Sequence, residues 1–455
     1  ETVLVDRFGS VGGNMGPGLI VAGGMASGSP HPDAPHSVGV YPPVFMGIPN
    51  EFIGKYASLG GGCVVPFSKC HYPRDANVAS YTSFKMLEDY GVQLMLSAYS
   101  SDPIMEANTV KGIFVENKSG RQAVKAKVTI DATGDADVAR RAGVPALYPK
   151  DEYTPLDGHA PNGIGLSFVV AGVDWRRYRA AVEHMEADPE LVDWSKKTLG
   201  EWGSWKEAVV LPFLKAAYEA GDYTPRCLQG IGARPIEIRL GIHSIATCNE
   251  YAADIDDTLA MGDASPERID VIDVGDGLHI TETERSLRMA AFEYVHFYKN
   301  YVPGFENAYL LVDAPFLGAR GGPCIEGEYT LTMDDCRKAR RFDDVIYLYG
   351  EFRAIKYTCE QGECRWVDMP YRVMLPKNVD GLLAAGRCAS GQPDTLLRNR
   401  MAVKHMGQAA GVAAALSAKR DISPRDLEVK ELQRNLLDAG FYLGDRKRLQ
   451  ELELV

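Results

Sequence analysis

Hydrophobic and polar positions follow short strand-like and helix-like periods along the chain. Thr2 to Val5 is a β-branched run ending in Asp6, and Gly9 to Gly18 is rich in glycine. Together they predict a strand, a carboxylate and then a loop. Residues 19–75 are rich in Gly and Pro and read as irregular, surface-wrapping structure. Phe84, Leu87 and Tyr90 recur at helical spacing, which predicts a helix over Ser83–Tyr90 closed by Gly91, with Val92–Ala98 following as a strand. Thr109–Glu116, a turn at Asn117–Gly120 and Gln122–Ile130 predict a hairpin. Its second arm runs straight into Asp131-Ala-Thr-Gly-Asp135.

From about residue 146 to 375 the texture changes. Gly165–Ala171, Pro235–Leu240, Tyr309–Val312 and Gly327–Leu331 read as strands. Arg176–Met185 and Trp205–Ala220 read as helices, and Glu282–Tyr298 is the strongest helical pattern. Asp380–Gly386 returns to the opening style, a buried strand that ends in glycine. Met406–Ala418 is an Ala- and Gly-rich helix suited to close packing, and Leu427–Ala439 is a charged amphipathic helix after Ser423-Pro424. No internal repeat or low-complexity segment is present.

Composition narrows the class. Apolar residues make up 45% and charged residues 24% of the 455, the proportions of a globular protein. No uninterrupted apolar stretch reaches the ~18 residues of a membrane span, so no membrane partner is expected. The formal net charge of −12 argues against nucleic acid and anionic lipid, which need a basic face. Nine cysteines, an odd and scattered count, make no disulfide framework and point to a reducing, cytoplasmic location. Cys-x-x-Cys is absent, and His31, Asp33 and His36 lie in a Pro-rich loop that is a poor ligand frame, so no metal is expected. The opening Glu-Thr-Val-Leu-Val-Asp is neither a signal peptide nor a transit peptide and reads as the edge of a buried strand.

Three segments far apart share one design, a hydrophobic strand ending in small or polar residues. They are Val3–Asp6 with Gly12-Gly13 behind it, Thr129–Asp135, and Leu382–Arg387 followed by Gly407–Gly411 at a helix start. Ligands of parallel α/β sheets bind beyond the carboxyl ends of strands. A carboxylate there suits a ribose diol, glycines let backbone approach a pyrophosphate, and a helix N-terminus offers free N–H groups to an anion.

These segments carry a resemblance. "TVLVDRFGSVGGNMGPG" at 2–18 resembles the second strand and following loop of FAD-dependent oxidoreductases of the glutathione-reductase-like type, in a bacterial subgroup often left without a named substrate. "VKAKVTIDATGDADVARRAGVP" at 124–145 is similar to their Ala-Thr-Gly-Asp segment. "YVPGFENAYL", "GEYTLT", "PYRVMLPKNVDGLLAAGRCAS" and "GQAAGVAAALS" are similar to stretches of the same subgroup, so the likeness covers nearly the whole chain. It implies an α/β fold: a discontinuous FAD-binding Rossmann-like domain, its first βα unit absent from this chain, and an inserted α+β substrate domain containing an antiparallel sheet. The implied division is 1–145 and 376–420 for FAD binding, 146–375 for the substrate domain and 421–455 for a helical tail.

Carried over residue by residue, Asp6 is implied as the ribose-binding acid and Arg7 as its flank on the adenosine. Gly12, Gly13 and Asn14 resemble the loop passing the pyrophosphate and flavin, and Ser100 lies near the adenine. Ala132, Thr133 and Gly134 resemble contacts on the adenosine phosphate side. Gly386 and Arg387 resemble the strand end near the ribityl chain, and Gln408, Ala409 and Ala410 the helix start near the flavin pyrimidine.

Two departures stand out. The Gly-x-Gly-x-x-Gly loop is absent, and truncation is the expectation, because a parallel sheet without its central strand exposes the edges of its neighbours. A run that resembles Gly-x-Arg-Glu-Ser-Arg-Arg in the subgroup reads Gly318-Ala-Arg-Gly-Gly-Pro-Cys324, and a His-Gly-Ser-x-Arg stretch reads Asp394-Thr-Leu-Leu-Arg398. Arg320 and Arg398 remain as groups for a carboxylate or reduced flavin. Histidine is the default base for a flavin oxidation, and His71 and His405 are the candidates, with His279, Tyr72 and Arg74 behind them. The expected function is hydride transfer between a small organic substrate and FAD N5 in a cleft between the domains, with an electron acceptor the sequence does not name. The alternative is an enzyme-derived scaffold or oligomer subunit that has lost FAD. A nicotinamide-only dehydrogenase needs neither the Ala-Thr-Gly nor the Gly-Gln-Ala-Ala-Gly segment. Homo-oligomerisation would give the 19–75 segment and the acidic tail a surface to pack on.

Overall fold

The computed structural model describes residues 1–19, 47–61, 75–148, 164–199, 208–244, 258–266, 271–319, 321–338, 340–349, 367–392, 397 and 400–455. The chain divides into two compact units. The first comprises Glu1–Gly12, Gly23–Pro161 and Arg320–Val455, and the second comprises Gly13–Ala22 and Asn162–Ala319. Each unit is therefore built from stretches that are separated in sequence.

The first unit contains parallel strand pairs. Strand β1 (Val3–Val5) pairs with β2 (Gln93–Met95), Val3 opposite Gln93. Between them come helices α1 (Ile48–Ser58) and α2 (Ala76–Asp89). Helix α1 corrects the irregular reading of 19–75, the rest of which lies largely outside the described residues. Its apolar positions Phe52, Ile53 and Tyr56 are buried at helical spacing. Helix α2 starts earlier than expected because Asp75 caps it, accepting the N–H groups of Asn77 and Val78. Strands β3 (Tyr99–Glu106), β4 (Thr109–Asn117) and β5 (Gly120–Lys125) make an antiparallel sheet. Strand β6 (Thr129–Asp131) pairs in parallel with Leu382–Ala384.

The expected hairpin arm running unbroken to Ile130 is corrected here. Ala126 N–H still bonds to Lys111 C=O, but Thr129 N–H bonds to Gly381 C=O. The alternating pattern continues through this handover, so periodicity alone does not reveal a change of sheet. Gly327–Leu331 also shrinks to a two-residue strand, Leu331–Thr332. The tail is fastened rather than loose. Gln433 donates to the carbonyls of Asp343 and Val345, and buried Asp368 accepts from Arg341 and Arg448.

The second unit is built on an antiparallel sheet of six strands among the described residues, as expected of the inserted part. Tyr309–Asp313 pairs with Ile164–Ala171, then follow Ala260–Pro266, Ile236–Ser244 and Cys227–Leu228. Gly318–Ala319 also pairs with Ile164–Ala171. One face, with Leu166, Phe168, Val170, Leu240, Ile242 and Ala264, joins Leu287, Ala290, Tyr294 and Tyr298 of the Gly277–Tyr301 helix in one core. Asp276 caps that helix through the N–H groups of Leu278 and His279. Among the described residues no helix is long and apolar enough to cross a membrane.

Gly262 sits opposite Phe168, and a Cβ there would lie 1.9 Å from the Phe168 ring. The ring covers the bare glycine, so Gly262→Ala forces one of them to move. We expect Gly262→Ala to lower stability by about 2 kcal/mol in urea unfolding, with Phe168→Leu recovering part of the loss. A change below about 0.5 kcal/mol contradicts this packing.

Candidate functional site

The turn after β6 is organised by Asp131, which is 1% exposed. Its Oδ1 accepts the Thr133 N–H at 3.0 Å and the Thr133 hydroxyl at 2.8 Å. Its Oδ2 accepts the Ala139 N–H at 2.9 Å. Thr133 Oγ1 accepts in turn from the Asp137 N–H at 2.9 Å, which starts helix α3 (Asp137–Arg141). Cys388 Sγ accepts the Gly134 N–H at 3.0 Å, and burial pushes this thiol well above its usual range. Sequence reasoning selected Ala132, Thr133 and Gly134 but passed over Asp131. The Thr133 hydroxyl is engaged inside the turn, whereas Ala132 is exposed. The overlooked signal is Asp-x-Thr, in which a short acid bonds to backbone two residues on.

A second joint ties this turn to the end of Leu382–Ala384. Ala385 N–H bonds to the Asp131 carbonyl at 2.9 Å, and Gly386 follows with a φ of +75°. Arg387 Nη1 donates to Asp135 Oδ1 at 2.7 Å, with the side chains 16% and 14% exposed. Gly134 has a φ of +93°, and a Cβ on it would lie 3.0 Å from Arg387 Nη2 and 3.3 Å from Cζ. The guanidinium therefore lies against bare backbone, at a position that glycine's conformational freedom also requires. Burial raises the Asp135 carboxyl above its usual range, while Arg387, and more weakly Arg7, oppose the rise.

Arg7 follows the end of β1 in the same unit and acts on Asp135 only as a weak electrostatic influence, whereas the ends of β6 and Leu382–Ala384 are joined directly by the Asp135–Arg387 pair. Asp6 ends the same strand, half-buried, and its Oδ1 accepts the Phe8 N–H at 2.9 Å. Burial raises its carboxyl too, against that hydrogen bond and Arg7. The Arg7 guanidinium is 4.8 Å from the centre of the Phe8 ring. Gly12 has a φ of +110°. Gly13 and Asn14 belong to the second unit, in the short helical turn Gly13–Met15. Ser100 lies on β3, and its carbonyl accepts from Arg141 Nη1 at 3.0 Å.

The helix expected to open at Gly407 starts at Arg400 and runs to Arg420. This corrects the placing of Gln408, Ala409 and Ala410 at a helix start. Their N–H groups are inside the helical ladder, where none is left over for an anion. Gln408 instead reaches α1, its Oε1 accepting the Ile48 N–H at 2.9 Å, while Ala409 and Ala410 are buried. His405 is a second correction. It is fully buried, stacked 4.0 Å from the Phe441 ring centre and 5.2 Å from that of Tyr347. Burial lowers its pKa to about 3, so it packs as a neutral ring and holds no proton near neutrality.

His71, Arg320 and Arg398, like Tyr72, Arg74, His31, Asp33 and His36, lie outside the described residues. His279 stands in the first turn of the Gly277–Tyr301 helix, its Nδ1 accepting the Asp273 N–H at 3.1 Å. Among the described residues no group of three or more His, Cys, Asp or Glu is placed to hold a metal.

The buried neutral ring of His405 makes stability depend on pH. Its folded pKa of about 3 lies below the ordinary histidine value near 6.5, so the unfolded chain takes up the proton first. The stabilisation is complete above about pH 6.5 and is lost as pH falls towards 3. We expect His405→Phe to remove about 2 kcal/mol of the stability lost between pH 7 and pH 5, measured by urea unfolding at both. Parallel losses in the two proteins contradict the placement of His405.

Among solved structures, a triple mutant of the flavin-dependent brominase Bmp2 is similar over 96% of this chain and 83% of its own, at 10% identity and a TM-score of 0.37. The myxobacterial chondrochloren halogenase CndH is similar over 99% of this chain and 78% of its own, at 11% identity and a TM-score of 0.34. A geranylgeranyl bacteriochlorophyll reductase-like protein from Thermoplasma acidophilum is similar over 99% and 95%, at 11% identity and a TM-score of 0.30. No curated protein matches the chain. The family model described as FAD dependent oxidoreductase matches residues 1–436, which is nearly the whole chain, and the protein therefore belongs to the FAD dependent oxidoreductase family, with FAD as its cofactor.

Proposed function

We propose that the protein transfers a hydride between a small organic substrate and FAD. In this reading the first unit holds the cofactor and the second supplies the substrate domain. The observation that carries it is the joint at the carboxyl ends of β6 and Leu382–Ala384, where the Asp135–Arg387 pair lies, in the same unit as the carboxylate that ends β1. Asp6 offers a carboxylate for a diol with Arg7 beside it on the adenosine side, and Gly386 and Arg387 stand at the strand end assigned to the ribityl chain. Gly12 and Gly386 adopt positive φ, and a Cβ on Gly386 would meet nothing nearer than Val403 at 3.9 Å, which leaves room beside the backbone. This donor and acceptor set fits a dinucleotide.

Bound flavin supplies the two-electron chemistry. The chain's part is to hold it, orient the substrate, and take or give the substrate's proton. His71 remains the proposed proton-transfer group and Arg320 and Arg398 the proposed anion-binding groups, while His405 is set aside as a core residue.

The reading predicts that the purified protein takes up FAD and shows the visible flavin bands. Asp6→Asn should weaken FAD at least about tenfold in a fluorescence titration, because a charged hydrogen-bond acceptor is lost. Bleaching of the bands by a candidate substrate under anaerobic conditions would identify the donor. A folded wild-type protein that takes up no FAD would turn the assignment towards a scaffold that has lost its cofactor.

A further inference from the structure

We propose that the second unit carries a small-molecule site of its own, for a carboxylate with a planar apolar body, in the cavity that the 221–229 segment forms with the Gly277–Tyr301 helix. Every residue in its wall belongs to the second unit, so the site stands apart from the FAD reading.

The cavity has a volume of about 560 Å³, within the range of sites for small molecules. Two arginines stand in its wall. Arg226 Nε donates to Glu293 Oε2 at 3.0 Å, and its Nη2 donates to Glu293 Oε1. Arg285 Nε donates to Glu282 Oε2 at 3.1 Å, and its Nη2 donates to Glu282 Oε1 at 2.9 Å. Each guanidinium is therefore held along its Nε edge. A guanidinium has five N–H donors in a fixed fork, and among the described residues neither Nη1 group meets an acceptor. A carboxylate arriving end-on finds donors whose direction is already fixed. One of the holding carboxylates is itself anchored. Glu282 Oε1 also accepts the Gln229 N–H at 3.0 Å and the Ser286 hydroxyl at 2.8 Å, which ties the strand rim to the helix. Donors set in advance spare a ligand the entropy of ordering a long side chain.

The rest of the wall selects the ligand's body and charge. Arg285, Phe292 and His296 recur at helical spacing, so they share one face of the helix and all three line the cavity. Phe292 is 61% exposed. One exposed ring is ordinary on a protein surface. Here the ring shares a wall with two guanidiniums that have donors to spare, and a planar apolar body laid on it leaves water while its carboxylate meets the fork. The charges choose a monoanion. Arg226 and Arg285 are matched in the lining by Asp222 and Glu293, and Asp222 accepts from the Tyr301 hydroxyl. These four formal charges cancel, so nothing there draws in a multiply charged phosphate, whereas one carboxylate needs only orientation.

The test uses the full chain and three probes: naphthoate, which has ring and carboxylate, acetate, which lacks the ring, and naphthol, which lacks the charge. Titration calorimetry gives dissociation constants for wild type, Arg226→Gln, Arg285→Gln and Phe292→Ala, with thermal unfolding of each as a fold control. Naphthoate is expected to bind wild type at least about tenfold more tightly than acetate or naphthol, and each variant to lose about tenfold for naphthoate. Hydrogen exchange with naphthoate should slow in peptides covering 221–229 and 285–296. Should Arg226→Gln unfold because Glu293 loses its partner, Arg285→Gln and Phe292→Ala carry the comparison, since both side chains are more than half exposed. A folded wild type that does not bind naphthoate overturns the proposal. Equal affinity for naphthoate and naphthol overturns it too, because the guanidiniums then play no part. Undiminished binding in Arg285→Gln and Phe292→Ala, or slowing confined to other segments, puts the probe elsewhere and overturns it as well. Each of these outcomes leaves the FAD reading standing.

Discussion

The first unit depends on one buried carboxylate. Asp131 ends β6 and accepts two hydrogen bonds from Thr133, one from Ala139 and a longer one from the Cys388 thiol. A buried carboxylate without such partners is costly, so the turn is constrained to the shape that supplies them. That shape faces Gly134 towards Arg387, starts α3 at Asp137, and brings the Asp131 carbonyl to the Ala385 N–H. Cys388 closes the same knot through the Gly134 N–H. The result is a rigid joint between β6 and the Leu382–Ala384 strand, with the carboxyl ends of both held in register.

On this joint sits a group of charges at the strand ends. Asp131 is spent on structure, whereas Asp135 and Arg387 stand one step further out, with Arg7 acting from the end of β1. The second unit uses a different means. Its sheet is ordered by apolar packing of one face against the Gly277–Tyr301 helix, and Gly262 makes room for Phe168 inside that layer.

The fold was legible where structure is local. The Val3–Val5 strand, the Ile164–Ala171 strand and the long helix around Glu282–Tyr298 follow from periodicity, and the α/β class follows from the family resemblance that the strand-end segments carry. Elements set by distant partners were not legible. Nothing in the alternating run to Ile130 says that Thr129 will leave one sheet for another. The start of the last long helix at Arg400, its Gln408 capping α1, and the aromatic stack around His405 all depend on contacts made after folding. The same limit applies to the site. Asp6, Arg7 and Arg387 carry a recognisable pattern and Asp131 a local Asp-x-Thr signal, but the pairing of Asp135 forms only when Arg387, 252 positions away, arrives. A histidine one turn from a glycine-rich helical segment reads as a base until packing shows it stacked in a core.

The most direct test of the strand-end site is hydrogen exchange of the protein with and without FAD. Binding there predicts slowed exchange in peptides covering residues 5–12, 131–141 and 384–390, the three segments that carry the proposed cofactor-binding residues. Slowing confined to other parts of the chain, with these three unchanged, would contradict it.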